Sequence, residues 1–533
     1  MIRDALAASL RAALTDVGIE PPAEIHLERP GRREHGDWSS NVAMATAKRN
    51  GRVPRQLAAE LVERLNAVPP AHVERAEIAG PGFVNLHLRD TWLHDVLRDV
   101  LASGEPGYAR LDIGGAKRVN VEFVSANPNG PLHVGHGRGA AYGDSLARVL
   151  TRCGYDVTRE CYLNDRGLQM QSFAASLVAR KAGVAPPEDG YHGDYVIEWA
   201  TEMPDDVDAM GWGYERALRD QREVLAAFNV DFDVWFSEQS LVASGAMDAA
   251  LEELRARGVA FDLDGAVWLR STDFGDDKDR PLVRSNGEPT YLLPDIAYHR
   301  DKFERGFALL IDVWGADHHG YLSRMRAAIS ALGHDPSELE VPIVQMVRLE
   351  RAGGAVKLGK RRGEIVELRD LIDEVGADAA RLTYLLQSID SPQTIDLDLI
   401  TSQSNDNPVF YVQYANARIH SIGRKVTEAG IARAPLDQVD LSLLVHDREL
   451  DLLRKLDELP EVLALACADR APHKITTWVR ELADRFHGFY HDCYVIGDVP
   501  AELTQARLQL VEAARIGLAI GLDLLGVSAP EAM

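Results

Sequence analysis

Two histidines three positions apart, His133 and His136, close the run Ala126, Asn127, Pro128, Asn129, Gly130, Pro131, Leu132, His133, Val134, Gly135 and His136. The run follows the apolar residues Val119, Val121, Phe123 and Val124, which predict a buried strand. It precedes the stretch 137–150, rich in small residues and leucine, which predicts a helix. Two prolines and two glycines between strand and helix force a tight turn and let backbone approach a ligand closely. Imidazoles placed at the free amides and positive dipole end of a helix suit phosphate. The chemistry implied is the binding of a nucleotide polyphosphate. A zinc site is excluded because no other Cys or His lies at ligand spacing nearby.

Other stretches carry side chains of the same kind. Val356-Lys-Leu-Gly-Lys-Arg-Arg-Gly363 concentrates cations, Lys357 and Lys360 among them, between glycines that permit a loop to move. Taken alone it is a solvated basic turn; its place after the predicted strand around 342–348 gives it weight. Val313–Tyr321 ends a strand and opens a helix, with Gly315, Asp317 and His318 in the turn. There Asp317 reads equally well as an ordinary helix cap. Tyr291 and Asp295 lie four apart, so a helix with Pro294 in its first turn would face both the same way. Glu122 ends the buried strand before the histidine run, where an unpaired carboxylate would be costly. By itself it reads as half of a structural ion pair, and Asp295 as an acid at a helix N-terminus.

The 126–136 run resembles the HIGH signature of class I aminoacyl-tRNA synthetases. The overlapping Glu122-Phe-Val-Ser-Ala-Asn127 narrows the resemblance to the arginyl-tRNA synthetase family, over nearly the whole chain. The resemblance implies an arginine–tRNA ligase: ATP activates arginine to arginyl-adenylate, which is transferred to the terminal ribose of arginine tRNA. It implies His133, His136, Lys357 and Lys360 as catalytic groups, and Pro131, Gly135, His136, Gly315, Asp317 and His318 as ATP contacts. The basic loop resembles the family's KMSK loop with two departures, Leu358 for Met and Gly359 for Ser, neither of which removes a cation. Glu122, Tyr291 and Asp295 are implied to recognise the guanidinium, with Ser125 and Asn127 holding the substrate. A guanidinium offers five donors in a rigid fork that lysine cannot reproduce, so convergent carboxylates would discriminate strongly. The geometric expectation is that Glu122 and Asp295 converge on one cationic side chain beside the phosphate cradle. The resemblance further implies Mg2+ accompanying ATP, no protein-bound metal, a monomer, and little activation until tRNA is bound.

Positioning these residues requires several domains, because 533 residues exceed what one core sustains. No apolar stretch approaches the ~20 residues that span a bilayer, and the start, Met1-Ile-Arg-Asp-Ala-Leu, predicts an amphipathic helix and not a signal peptide. Four cysteines, Cys153, Cys161, Cys467 and Cys493, are too few and scattered for a disulfide framework and fit a reducing cytoplasm. The net charge of −24 argues against nucleic acid, but residues 1–112 carry −2 and residues 401–533 carry −6, leaving −16 for the middle. RNA contact would therefore use local basic patches at the ends, such as Arg29, Arg32 and Arg33, or Lys48, Arg49, Arg52 and Arg55. Each patch alone is a solvated face; the tRNA partner comes from the resemblance.

Residues 1–112 predict an α+β unit, with helices at 2–17, 39–50 and 54–66 and a strand over 79–88; the resemblance implies that it contacts the tRNA elbow. Residues 113–400 alternate strands (119–124, 156–162, 307–313, 342–348) with helices, which predicts an α/β, Rossmann-like, doubly wound parallel sheet. An insertion is expected around 185–275, with acidic helices and a hairpin at Asp264-Gly265. Residues 401–533 lack strand patterns; their leucine and aromatic stripes predict an all-α bundle, which resembles the family's anticodon-binding domain.

Overall fold

The computed structural model of the chain describes residues 2–355 and 366–533, so Lys357 and Lys360 lie outside the described residues. Its central sheet has five strands in the order Leu339–Glu340, Leu309–Asp312, Arg118–Glu122, Asp156–Leu163 and Val234–Ser237. All neighbours are parallel. Leu309, Leu310 and Ile311 are buried in succession, the unbroken apolar run of a strand covered on both faces. Numbered by chain position, the order is the 3-2-1-4-5 of a doubly wound sheet. It reverses between Arg118–Glu122 and Leu309–Asp312, and ligands bind outside the carboxyl ends of strands at such a reversal. Glu122 and Asp312 pair in register at that end. The chain leaves Glu122 towards the histidine run and Asp312 towards Asp317.

The helix Val134–Arg152 makes its closest approach to the end of the strand Arg118–Glu122 at Gly143. A Cβ at Gly143 would fall within the Phe123 ring. Gly143→Ala should therefore cost about 1–3 kcal/mol through overpacking, although alanine is the better helix former. Urea unfolding checks this, and an unchanged or higher midpoint would show that the helix can move away.

The predicted strand at 342–348 is not part of this sheet. Ile343–Val344 pairs with Trp314–Gly315, and Val347–Arg351 pairs with Gln393–Asp396. The fifth place is taken by the two-residue strand Leu339–Glu340. Val234–Ser237 falls inside the expected 185–275 insertion yet is a central-sheet edge strand. The additions therefore divide around it. Helices Leu168–Lys181, Asp194–Glu202 and Ala209–Ala227 precede it. Two short helices and the antiparallel strands Ala260–Leu263, Ala266–Leu269 and Arg280–Val283 follow. Asp264 and Gly265 turn the first hairpin with φ of 50° and 76°, the paired left-handed conformation of a two-residue type I′ turn.

The described chain divides into two compact units. One holds residues 1–108, 422–458 and 485–516. In it, the helices Ile2–Asp16, Val42–Ala47 and Pro54–Ala67 accompany an antiparallel sheet ordered Trp38–Ser40, Phe83–Leu88, Val73–Ala79. Two of those three strands were not predicted: Trp38–Ser40 is only three residues long, and Val73–Ala79 is too mixed to alternate. The other unit holds the central sheet with residues 109–421, 459–484 and 517–533. Beyond residue 401 the described secondary structure is helical. Trp478, Leu482, Phe486 and Phe489 are fully buried there as their stripe predicts, whereas Leu465 is 47% exposed because it falls on the outer face of Leu459–Ala468.

Candidate functional site

His133 caps its helix. Its Nδ1 accepts the Gly135 N–H at 3.1 Å, and His136 Nδ1 accepts the His133 N–H at 3.2 Å. With each Nδ1 occupied as an acceptor, each ring proton sits on Nε2. The rings stack with centroids 3.6 Å apart at 20°, so the two donors act side by side. Burial lowers both pKa values, that of His136 to about 3, where a cationic His133 would add repulsion. Both are therefore neutral N–H donors at physiological pH. In the free protein, an NMR titration of the ring protons should show no protonation of His136 between pH 8 and 5. Because these folded pKa values lie below the unfolded ~6.5, the neutral pair stabilises fully above that pH and progressively less as pH falls towards 3. A midpoint near 6.5 for His136 would refute this.

The turn before the histidines is strained and braced. Val124 and Ser125 have φ of 68° and 40°, a region costly for side chains with a Cβ and especially for β-branched valine. The Ser125 N–H donates to Phe123 O at 2.9 Å. Its hydroxyl donates to Glu122 Oε1 at 2.8 Å and accepts the Tyr162 N–H at 3.2 Å. Further along, Gln221 donates to the Asn127 and Gly130 carbonyls at 3.0 and 3.1 Å, and the Tyr195 hydroxyl donates to Asn129 O at 3.0 Å. These braces come from helices that looked like mere insertion in the sequence. On the other flank, Val134 N–H donates to Val366 O at 3.0 Å and Leu368 N–H to Leu132 O at 2.7 Å.

A cavity of about 890 Å³ opens beside this turn. It brings together Ser125, Ala126, Asn127, His136, Tyr291, Asp295 and His318 from the predicted set. Tyr291 stands at its rim, 80% exposed. His133, Pro131, Gly135, Gly315 and Asp317 are not on its wall; Asp317 is exposed in a 3-10 turn, 3.4 Å from His318 Nε2. Asp295 opens the helix Leu292–Glu304 and accepts the Tyr321 hydroxyl at 2.6 Å. A second carboxylate on the wall is Glu238, which no sequence signal marked beyond its place after the short run Val234–Ser237. It lies 3.7 Å from Arg166. Burial raises the pKa of both acids, with Tyr321 partly offsetting it at Asp295 and Tyr162 at Glu238. A third acid on the wall, Glu288, is exposed and lies 3.9 Å from Arg284, so the two half-buried acids are the under-compensated ones, and they call for a cationic ligand.

Glu122 departs from expectation. Its carboxylate is turned away from the cavity to Lys302, at 2.6 Å, and to Ser125. Lys302 is wholly buried and also binds Asp312 at 2.9 Å, and Asp312 accepts His299 at 2.8 Å. The other ring nitrogen of His299 contacts the Asp295 carbonyl at 2.8 Å. A buried ammonium needs these carboxylates more than a solvent-facing ligand does. Burial raises Glu122 and opposes the charge of Lys302, yet Asp312 and Glu122 hold the lysine firmly protonated. Thus Glu122 and Asp295 are joined through Lys302, Asp312 and His299, and do not converge directly on one ligand.

Among known families, residues 2–88 match the arginyl tRNA synthetase N terminal domain. Residues 97–185 and 214–388 match the class I (R) tRNA synthetase catalytic domain, and 412–533 the DALR anticodon binding domain. The chain is 45% identical to the arginine–tRNA ligase of Carboxydothermus hydrogenoformans, covering 99% of this chain and 98% of that one. It is 44% identical to the Bacillus subtilis arginine–tRNA ligase, covering 100% and 99%. The arginyl-tRNA synthetase of Thermus thermophilus superposes with a TM-score of 0.75 over all of both chains, at 24% identity, a likeness of fold.

Proposed function

Because the chain belongs to the arginyl-tRNA synthetase family, we propose that its cavity joins arginine to ATP, with Asp295 and Glu238 holding the guanidinium. The activity is that of an arginine–tRNA ligase. The arginine carboxylate attacks the α-phosphorus of ATP, forming the acyl phosphate bond while the α–β bridge breaks and diphosphate leaves. A terminal ribose hydroxyl of tRNA then attacks the acyl carbon, and AMP departs. No covalent protein intermediate is required, so the protein's contribution is position and charge. The observation that supports this assignment best is that the half-buried acids Asp295 and Glu238 line the same cavity as His136.

In this arrangement His133 and His136 donate to the phosphate oxygens that gain charge at the α-phosphorus. Ser125 and Asn127 hold the amino-acid end, and Gly135, Pro131, Gly315, Asp317 and His318 border the nucleotide. Tyr291 closes over the guanidinium from the rim. Lys357 and Lys360 take the leaving diphosphate, arriving from a chain that is hydrogen-bonded to Leu132 and Val134 from Val366 onwards. Glu122 acts at one remove, fixing the Ser125 hydroxyl. Mg2+ bound with ATP would supply counter-charge to its phosphates. Among the described residues no group of three His, Cys, Asp or Glu side chains is gathered to hold an ion.

We divide the work along the chain as 1–112 for the tRNA elbow, 113–400 for chemistry and 401–533 for the anticodon. Of the basic residues near the start, Arg29 and Arg33 pair with Asp457 and Asp451, and Arg52 with Glu60. Lys48 and Arg49 are exposed and make no ion pair among the described residues, which leaves them for a phosphate backbone. We further propose a monomer acting in the cytoplasm, as the family resemblance implies; among the described residues no helix is long and apolar enough to cross a membrane. Charging of purified arginine tRNA with labelled arginine, with lysine as control, tests the whole. Arginine-specific charging, with diphosphate exchange appearing only when tRNA is added, is expected. A folded sample that charges neither amino acid refutes it.

A further inference from the structure

A second cavity, of about 420 Å³, opens in the unit that holds the central sheet. It shares no wall residue with the ligase cavity. Arg110, Arg148, Arg152 and Arg159 line it against two acids, Asp233 and Asp523. Four arginines around one volume stand out in a chain of net charge −24. Arg148 and Arg152 lie one turn apart on one face of the helix Val134–Arg152, and Arg159 stands on the strand Asp156–Leu163. The Leu111 N–H donates to the Arg152 carbonyl at 3.0 Å, which draws Arg110 to the end of that helix. At 1.5 Å per residue, Arg148 is about 22 Å along the helix axis from His133, so the cavity lies at the end away from the histidines.

The acids present leave these guanidiniums under-compensated. Asp144 is wholly buried and shared among three of them, Arg381 at 2.5 Å, Arg148 at 2.9 Å and Arg159 at 3.6 Å. Arg148 also reaches Asp523, and Arg159 reaches Asp233, each at 3.3 Å. Those two carboxylates are 69% and 43% exposed, where an ion pair contributes little. Among the described residues, Arg148 Nη2 and Arg159 Nη1 donate no hydrogen bond. Arg110 is exposed and makes neither hydrogen bond nor ion pair among them. The structural duties of Arg148 and Arg159 thus occupy only part of each fork, and Arg110 has no such duty.

We propose that this cavity binds a small phosphoanion, as free phosphate or as a phosphate ester, at a site distinct from the ligase cavity. Its open donors come from a loop, a helix and a strand, and so approach from several directions. A tetrahedral phosphate presents oxygens in several directions and accepts bidentate guanidinium bonds, whereas a planar carboxylate fills a single fork. The ligand also supplies the negative charge that the shared Asp144 cannot.

Titrating the full-length protein with inorganic phosphate, with chloride holding ionic strength constant and phosphorus NMR reporting the bound anion, tests the proposal. A saturable site is expected, with affinity about tenfold weaker in Arg110→Ala, the loss of one charge-assisted contact. The same site should be unchanged in His136→Gln, because phosphate held at the ligase cavity would respond to that substitution instead. A parallel titration with glycerol phosphate separates the two sources: binding as tight as that of inorganic phosphate identifies an ester as the occupant, and weaker binding identifies the free anion. The proposal is overturned by wild-type protein that does not saturate, by equal affinity in Arg110→Ala, or by phosphate binding that only His136→Gln removes. Arg110 is exposed and unpaired among the described residues, so Arg110→Ala should keep the wild-type urea midpoint; the wild-type titration decides the matter if it does not. Because the readout is binding at this cavity, it stands or falls independently of arginine charging.

Discussion

Asp295→Asn should raise the KM for arginine about 100- to 1,000-fold while changing that for ATP only a few-fold. The substitution keeps the shape and the Tyr321 contact but removes a charge that faces the cavity without a cationic partner of its own. An uncharged amide cannot hold one arm of a guanidinium fork, and the lost charge-assisted bonds are worth about 3–4 kcal/mol at a desolvated site. Glu238→Gln should act in the same direction, and less strongly because Arg166 already sits 3.7 Å away. Steady-state kinetics with each substrate varied in turn measures both. A proportionate rise in both Michaelis constants would place Asp295 outside the guanidinium pocket. The raised pKa values add a pH dependence with a definite sign. Arginine binds the ionised acids, so its binding must expel any proton they carry. Its KM should rise as pH falls, whereas the neutral histidines contribute no such limb near 6.5.

Lys302→Met should destabilise the fold by about 3–5 kcal/mol, the loss expected when one partner is removed from a buried ion pair. Methionine fills most of the lysine stem, so the cost is mainly electrostatic: Glu122 and Asp312 are left facing each other without the ammonium between them. Adding Glu122→Gln and Asp312→Asn to Lys302→Met should recover most of that loss, since a neutral hydrogen-bonded cluster avoids the uncompensated charges. Urea unfolding of the single and triple variants distinguishes this from simple packing damage. A triple variant no more stable than Lys302→Met alone would show that charge was not the cause.

The legible part of this molecule was the part written contiguously. The turn from Ala126 to His136 announces itself because strand, prolines, glycines and helix start are adjacent, and the structure places His133 as the helix cap and His136 on the cavity wall. Asp295 was legible for the same reason, through Pro294 and the helix it opens. Glu238 was not, because one acid after a four-residue strand carries no periodic mark; only the sheet brings it to the cavity. Glu122 shows the converse failure. Its position at the strand end was correct, but nothing local discloses that Lys302, 180 residues later, takes its carboxylate. The fifth strand was misplaced for a related reason. Ile343–Val344 and Val347–Arg351 are more β-like in composition than Leu339–Glu340, yet it is the latter pair that lies beside Leu309–Asp312.

The 3-2-1-4-5 strand order has a consequence for how the polypeptide is made. Arg118–Glu122 is the first central strand to leave the ribosome, and its neighbour on one side, Leu309–Asp312, follows almost two hundred residues later. At elongation rates of about 5–20 residues per second, that side of the strand waits roughly 10–40 s for its partner. Throughout that interval the nascent chain presents Val119 and Val121 on an open hydrogen-bonding edge, an invitation to pair with a neighbouring polypeptide on the same message. Chaperone engagement during translation should therefore peak while residues 123–308 are being synthesised, and fall once Leu309–Asp312 has emerged.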